Sequence, residues 1–83
     1  MSRDEVRRKV GEFMSRAMGG RRVGADDDIF AMGFANSMFA MQLVQFVESQ
    51  FDVTIESEDL ELENFSTVER VTALVERKLA APA

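Results

Sequence analysis

Eighty-three residues with 46% hydrophobic side chains are enough for one compact domain with a single core, and too few for two. The absence of cysteine and histidine excludes disulfides and thiolate metal sites, and it removes the commonest general base and metal ligand. The net charge of −5 is unevenly placed: residues 1–22 carry seven basic and three acidic side chains, residues 23–69 eleven acidic and no basic ones. Such a field disfavours nucleic acid and anionic membranes and steers toward basic partner surfaces.

The first predicted helix covers Ser2 to Met18. Ser2 can cap it, Asp4 and Glu5 lie in its first turn, and Val6, Val10, Phe13 and Ala17 fall on one face. Gly11 interrupts the helix at a cost of about 1 kcal/mol against alanine, and a close helix contact would account for it. Gly19-Gly20 ends the helix.

Residues 19–36 form a connection longer than the roughly 12–15 residues usual for an unstructured loop, so it must be pinned to the body. Val23, Ile29, Phe30, Met32 and Phe34 are the candidate pins. The Asp26-Asp27-Asp28 cluster invites a calcium reading. An EF-hand loop counted from Asp26 would need glycine where Ala31 stands and glutamate where Ser37 stands, so that reading is rejected. Asp27 or Asp28 instead caps a turn, and no metal site is expected.

The second helix runs from Ser37 to Phe51, with Asn36 as its N-cap. Ala40, Leu43, Val44, Val47 and Phe51 make a core face. Phe39, Gln42 and Phe46 form a second stripe, expected to meet solvent or a partner, with Phe46 equally suited to tuck under a neighbouring loop. Met38, Met41 and Gln45 lie between the stripes. If Asn36 caps, the Ser37 hydroxyl stands at the positive end of the helix dipole, where an attached anion gains about 0.3–1 kcal/mol.

From Asp52 to Glu63 the chain is dense in acid, with Glu58 and Asp59 as candidate partner-steering groups. Leu60 and Leu62 are expected to anchor a short helical turn. Ser66-Thr67-Val68-Glu69 fits a capping box opening the last helix, whose core face is Val68, Val71, Leu74 or Val75, and Leu79. Residues 80–83 read as a frayed tail. The expected fold is all-α: a small bundle of three long helices and one short one, with a long loop between the first two. One domain spans 1–83 with its core at about 3–79. No apolar run approaches the roughly 20 residues of a membrane span, and no signal peptide opens the chain, so a cytoplasmic monomer is expected.

Asp28-Ile29-Phe30-Ala31-Met32-Gly33, Asn36-Ser37-Met38 and Leu43-Val44 together resemble the signature of acyl carrier proteins and related thiolation domains. The resemblance implies a 4′-phosphopantetheine arm joined through a phosphodiester to Ser37, flanked by Asn36 and Met38. It also implies carriage of an acyl thioester without intrinsic catalysis, in keeping with a serine that has no histidine, and no lysine or arginine between Arg22 and Arg70. Many carriers have aspartate before the serine and leucine after it, where this chain has Asn36 and Met38. The stretch from Gly33 to Ser37 is one residue longer than in fatty-acid-synthesis carriers, and Phe39 and Gln42 replace positions often acidic there.

The Asn36-Ser37-x-Phe39-Ala40-x-Gln42-Leu43-Val44 pattern is more similar to stand-alone carriers for polyketide extender units of the methoxymalonyl or hydroxymalonyl type. That likeness implies as partners a phosphopantetheinyl transferase, loading and tailoring enzymes (a dehydrogenase, in some systems a methyltransferase) and a polyketide-synthase acyltransferase. Aminoacyl and D-alanyl carriers share the longer loop and are the near alternative. An unmodified helical interaction module docking through Phe39 and Phe46 is the alternative of a different class.

Overall fold

The computed structural model describes residues 2–33 and 36–80. Among them are three α-helices, α1 (Arg3–Ala17), α2 (Ser37–Phe51) and α3 (Val68–Ala80), and two short 3-10 turns, Ser57–Asp59 and Leu62–Phe65, in place of one short helix. The expected all-α bundle is therefore the observed one. Helical structure reaches Ala80; the rest of the expected frayed tail, 81–83, and the candidate pin Phe34 lie outside the described residues.

The Ser2 hydroxyl accepts the Glu5 N–H at 3.2 Å and caps α1, as its position predicts. The helix buries Val6, Val10 and Met14. Phe13 is half-buried and Ala17 exposed, so the core stripe turns slightly away from the expected one and takes the flexible Met14 instead. A Cβ added at Gly11 would meet nothing within 4 Å, so no close helix contact calls for that glycine. Gly19 and Gly20 have φ of +75° and +87°, and the Gly20 N–H donates to the Ser15 carbonyl at 2.8 Å, turning the chain off the helix end.

Arg7 reaches Glu69 at 2.8 Å, while Arg3 reaches Glu69 at 2.9 Å and also pairs with Glu76, so α1 and α3 run antiparallel. Hydrogen bonding to Arg7, then to Arg3, holds the Glu69 carboxyl below the usual carboxylate range. Between the helices lies the core. Val68, Val71, Leu74 and Val75 of α3 meet Val6, Val10 and Met14 of α1 and Leu43, Val47 and Phe51 of α2 in one cluster. Thr72 is fully buried among them, its hydroxyl satisfied by the Val68 carbonyl at 2.7 Å. Leu79, expected in this core, is instead 46% exposed.

The long connection is pinned by its backbone as well as its side chains. Ile29 is fully buried and its N–H donates to the Ser66 carbonyl at 3.0 Å. The Glu69 N–H, an orphan donor in the first turn of α3, donates to the Ala25 carbonyl at 3.1 Å. Val23 and Phe30 are partly buried against the core, whereas Met32 is exposed. Both candidate aspartates close turns: Asp27 accepts the Gly24 N–H at 2.8 Å, and Asp28 accepts the Phe30 and Ala31 N–H groups at 3.0 and 2.9 Å.

Two local expectations are corrected at the approach to α3. Leu60 and Leu62 are 52% and 61% exposed, and Phe65 is the buried anchor of this segment. The cap of α3 is Thr67, whose hydroxyl accepts the Arg70 N–H at 3.0 Å. The Ser66 hydroxyl instead donates to the Glu63 carbonyl at 3.1 Å, and Glu69 is drawn to the arginines of α1. Tertiary ion pairing overrides the local capping box.

Candidate functional site at the start of the second helix

Asn36 has extended backbone angles (φ −136°, ψ −174°) and its side-chain oxygen accepts the Phe39 N–H at 3.0 Å, closing the first turn of α2. Its carbonyl accepts the Ala40 N–H at 2.9 Å. Ser37 is thus the first helical residue, and it is exposed. No acidic side chain stands in this first turn, and no lysine or arginine occurs anywhere in residues 23–69. The N-terminal partial charge of α2 therefore has no side-chain counter-charge on its own turn, which suits an anion bound through the Ser37 hydroxyl. Asn36→Ala is expected to lower stability by about 0.5–2 kcal/mol through the lost cap, read as a lower urea midpoint with unchanged slope.

Ser37, Ala40, Met41 and Val44 share one face of α2, at spacings of three and four. That face forms one wall of an open, largely apolar groove of about 430 Å³. Phe30 of the connection, and Leu60, Leu62 and Phe65 of the segment before α3, complete it. Apart from Ser37, sequence reasoning placed none of these as site residues, although Ala40 and Met41, one turn beyond Ser37, carried a readable signal. The exposure of Leu60 and Leu62 has its explanation here, since they are rim rather than anchor. Met38 and Met41 are 71% and 56% exposed, and Gln42 is exposed beside them.

The aromatic stripe does not face outward as expected. Phe39 is only 9% exposed, and its ring stacks on Phe13 of α1 with centroids 5.8 Å apart. Phe46 is half-buried, stacks on the same ring at 4.4 Å, and meets Phe51 edge-on at 6.0 Å. Phe39 is therefore a core residue and Phe46 tucks against α1. The apolar surface that α2 offers to solvent is made of methionine.

Glu58 is exposed, and hydrogen bonding to Glu56, with the Glu56 and Asp59 charges, raises its carboxyl above the usual range. Asp59 is not a free steering charge. It pairs with Lys78 of α3, accepts the Glu56 N–H at 3.0 Å, and its side chain is largely covered. The hydrogen bond from Lys78 lowers the Asp59 pKa and that from Asp59 raises the Lys78 pKa. A depressed carboxylate contributes stability above its unfolded pKa of about 3.9, which is lost as pH falls through the lower folded value. The raised lysine contributes below about 10.4, and loses it as pH rises through the higher folded value. Asp59→Asn keeps an acceptor for Glu56. It should lower the urea midpoint near neutrality, with the gap to wild type closing toward both pH extremes. A gap independent of pH would show that the ion pair contributes nothing.

Among the described residues no cluster of three or more His, Cys, Asp or Glu side chains could hold a metal ion, and no helix is long and apolar enough to cross a membrane. A small three-helix bundle presenting an exposed serine at a helix start, beside an apolar groove, defines a carrier-type domain. The chain belongs to the family described as Phosphopantetheine attachment site, which matches residues 4–75 and so spans all three helices. No curated protein matches the chain. The domain is a site of covalent 4′-phosphopantetheine attachment. Domains of this family are in general non-catalytic acyl carriers served by a phosphopantetheinyl transferase and by acyl-processing enzymes.

Proposed function

We propose that Ser37 is the attachment residue and that the protein is a stand-alone acyl carrier for a polyketide extender unit of the methoxymalonyl type. The observation that supports Ser37 most directly is its exposed hydroxyl at the first position of an Asn36-capped helix whose first turn holds no acid. A partner transferase removes the hydroxyl proton, and Oγ attacks the β-phosphate of coenzyme A. The new phosphodiester forms as the bond to adenosine 3′,5′-bisphosphate breaks. When bound, the arm supplies a thiol that holds the acyl group as a thioester. The protein's own residues position this group: Asn36 fixes the helix start, the α2 dipole favours the phosphodiester, and Ala40, Met41, Leu60 and Leu62 offer the arm an apolar surface. Loading, oxidation and methylation of the three-carbon unit are the work of partner enzymes, and so is its delivery to a polyketide-synthase acyltransferase.

Partner docking near the arm falls to Met38, Met41 and Gln42, with Glu58 as an acidic neighbour, in place of Phe39, Phe46 and Asp59. The extender-unit reading rests on the Asn36-Ser37-x-Phe39-Ala40-x-Gln42-Leu43-Val44 pattern. It is tested by loading the pantetheinylated protein with glyceryl or malonyl units and with amino acids, using the respective activating enzymes. A three-carbon acyl thioester as the accepted cargo supports the proposal; exclusive acceptance of an amino acid contradicts it.

A further inference from the structure

Two hollows flank one ridge of α1 and share no lining residue with the groove beside Ser37. One, of about 470 Å³, lies between α1 and the turn that follows it, lined by Gly11, Arg16, Arg22 and Val23 among others. The other, of about 180 Å³, lies between α1 and α2, where Arg8, Lys9 and Arg16 surround Phe46 and Gln50. Glu12 and Arg16 border both, so the hollows join into one strip across the helix.

Three of the four cations on this strip are left out of the ion pairs that hold the fold. Arg3 and Arg7 are committed to Glu69 and Glu76, and Arg8 pairs with Glu12 at 3.1 Å, which neutralises the strip's one acid. Lys9, Arg16 and Arg22 have no ion-pair partner among the described residues. Gly11 adds an independent sign. In mid-helix it costs about 1 kcal/mol, no close packing requires it, and it keeps one hollow free of a side chain.

We propose that this strip is a docking site for an acidic polypeptide segment of a partner, separate from the face that presents Ser37. Carboxylates would meet Lys9, Arg16 and Arg22, and apolar side chains between them would lie on Phe46 and Val23. An extended polyanion is a poor occupant, because it would also run alongside the eleven carboxylates of residues 23–69. A short segment feels mainly the local cations, because charges more than about 8 Å apart are screened at physiological salt and the molecule is 36 Å long. Such a contact would keep a partner on the protein while a different enzyme works at the serine.

The test is fluorescence anisotropy of a labelled peptide of alternating glutamate and leucine, with a lysine–leucine peptide as control. It is run on the protein with and without the arm, beside phosphatidylglycerol vesicles and single-stranded DNA. Wild type should bind the acidic peptide alone, more weakly as salt rises, and equally with or without the arm. Arg16→Glu combined with Arg22→Glu should weaken binding about ten-fold or more. Gly11→Leu, which fills the hollow while favouring the helix, should do the same with an unchanged or higher melting temperature. Equal affinity in wild type and both variants overturns the proposal. Arginine-dependent binding of vesicles or DNA in preference to the peptide overturns it in favour of a polyanion surface, and loss of peptide binding on arm loading overturns the separation of the two faces.

Discussion

Phe39→Asp is expected to unfold the protein or bring it close to unfolding. Phe39 occupies the third position of α2, where an acid is locally favourable by about 0.3–1 kcal/mol through the helix dipole. That gain is overwhelmed. Removing a buried phenylalanine side chain costs about 3–5 kcal/mol, and a carboxylate placed against Phe13 adds a desolvation penalty. A small domain has a total stability of about 5–15 kcal/mol, and one of 83 residues lies toward the lower end. Circular dichroism and urea melts read the outcome directly. A mutant as stable as wild type would mean that Phe39 stands outside the core. Phe39→Leu, which keeps an apolar filler, should lose much less.

Ser37→Ala should have the opposite profile, with all pantetheinyl loading lost and stability nearly unchanged. The side chain is exposed, its hydroxyl makes no hydrogen bond to another of the described residues, and alanine is a good first-turn residue while Asn36 still caps. Surface substitutions of this kind stay within about 0.5 kcal/mol. Intact mass after incubation with coenzyme A and a broad-specificity transferase gives one reading, and a urea melt gives the other. Retained loading would move the arm to another residue, and a large loss of stability would make Ser37 structural.

The contrast between these two neighbours shows what a sequence of this kind reveals. The start of α2 was legible because its determinants are local: asparagine accepts the N–H three residues on, and the helix follows from Ser37 to Phe51. Its core face was legible too, since Leu43, Val44, Val47 and Phe51 are buried as their spacing predicts. The fate of the second stripe was not: periodicity leaves it facing outward, and the ring of Phe13, contributed by another helix, draws Phe39 and Phe46 inward. Met38 and Met41 are left outside for the same reason.

Similar logic governs the acidic segment. Leucines at 60 and 62 look like anchors until Phe65 fills the available core position. Asp59 looks like one carboxylate among many until Lys78, nineteen residues later, covers it. Ser66 and Thr67 are both good caps, and only the Arg70 N–H and the pull of α1 on Glu69 separate them. The groove beside Ser37 depends on Phe30 and Phe65 meeting α2 across the fold, and no local pattern encodes that meeting.

We propose a single point of attachment for the arm, the hydroxyl of Ser37. Peptide mapping by tandem mass spectrometry of the wild-type protein, after reaction with coenzyme A and transferase, tests it against the other serines: Ser2, Ser15, Ser49, Ser57 and Ser66. A single phosphopantetheinyl group on the peptide containing Ser37, with fragment ions placing it on that residue, is the predicted result. An unmodified Ser37 peptide, with the group on another serine or on none, would contradict it.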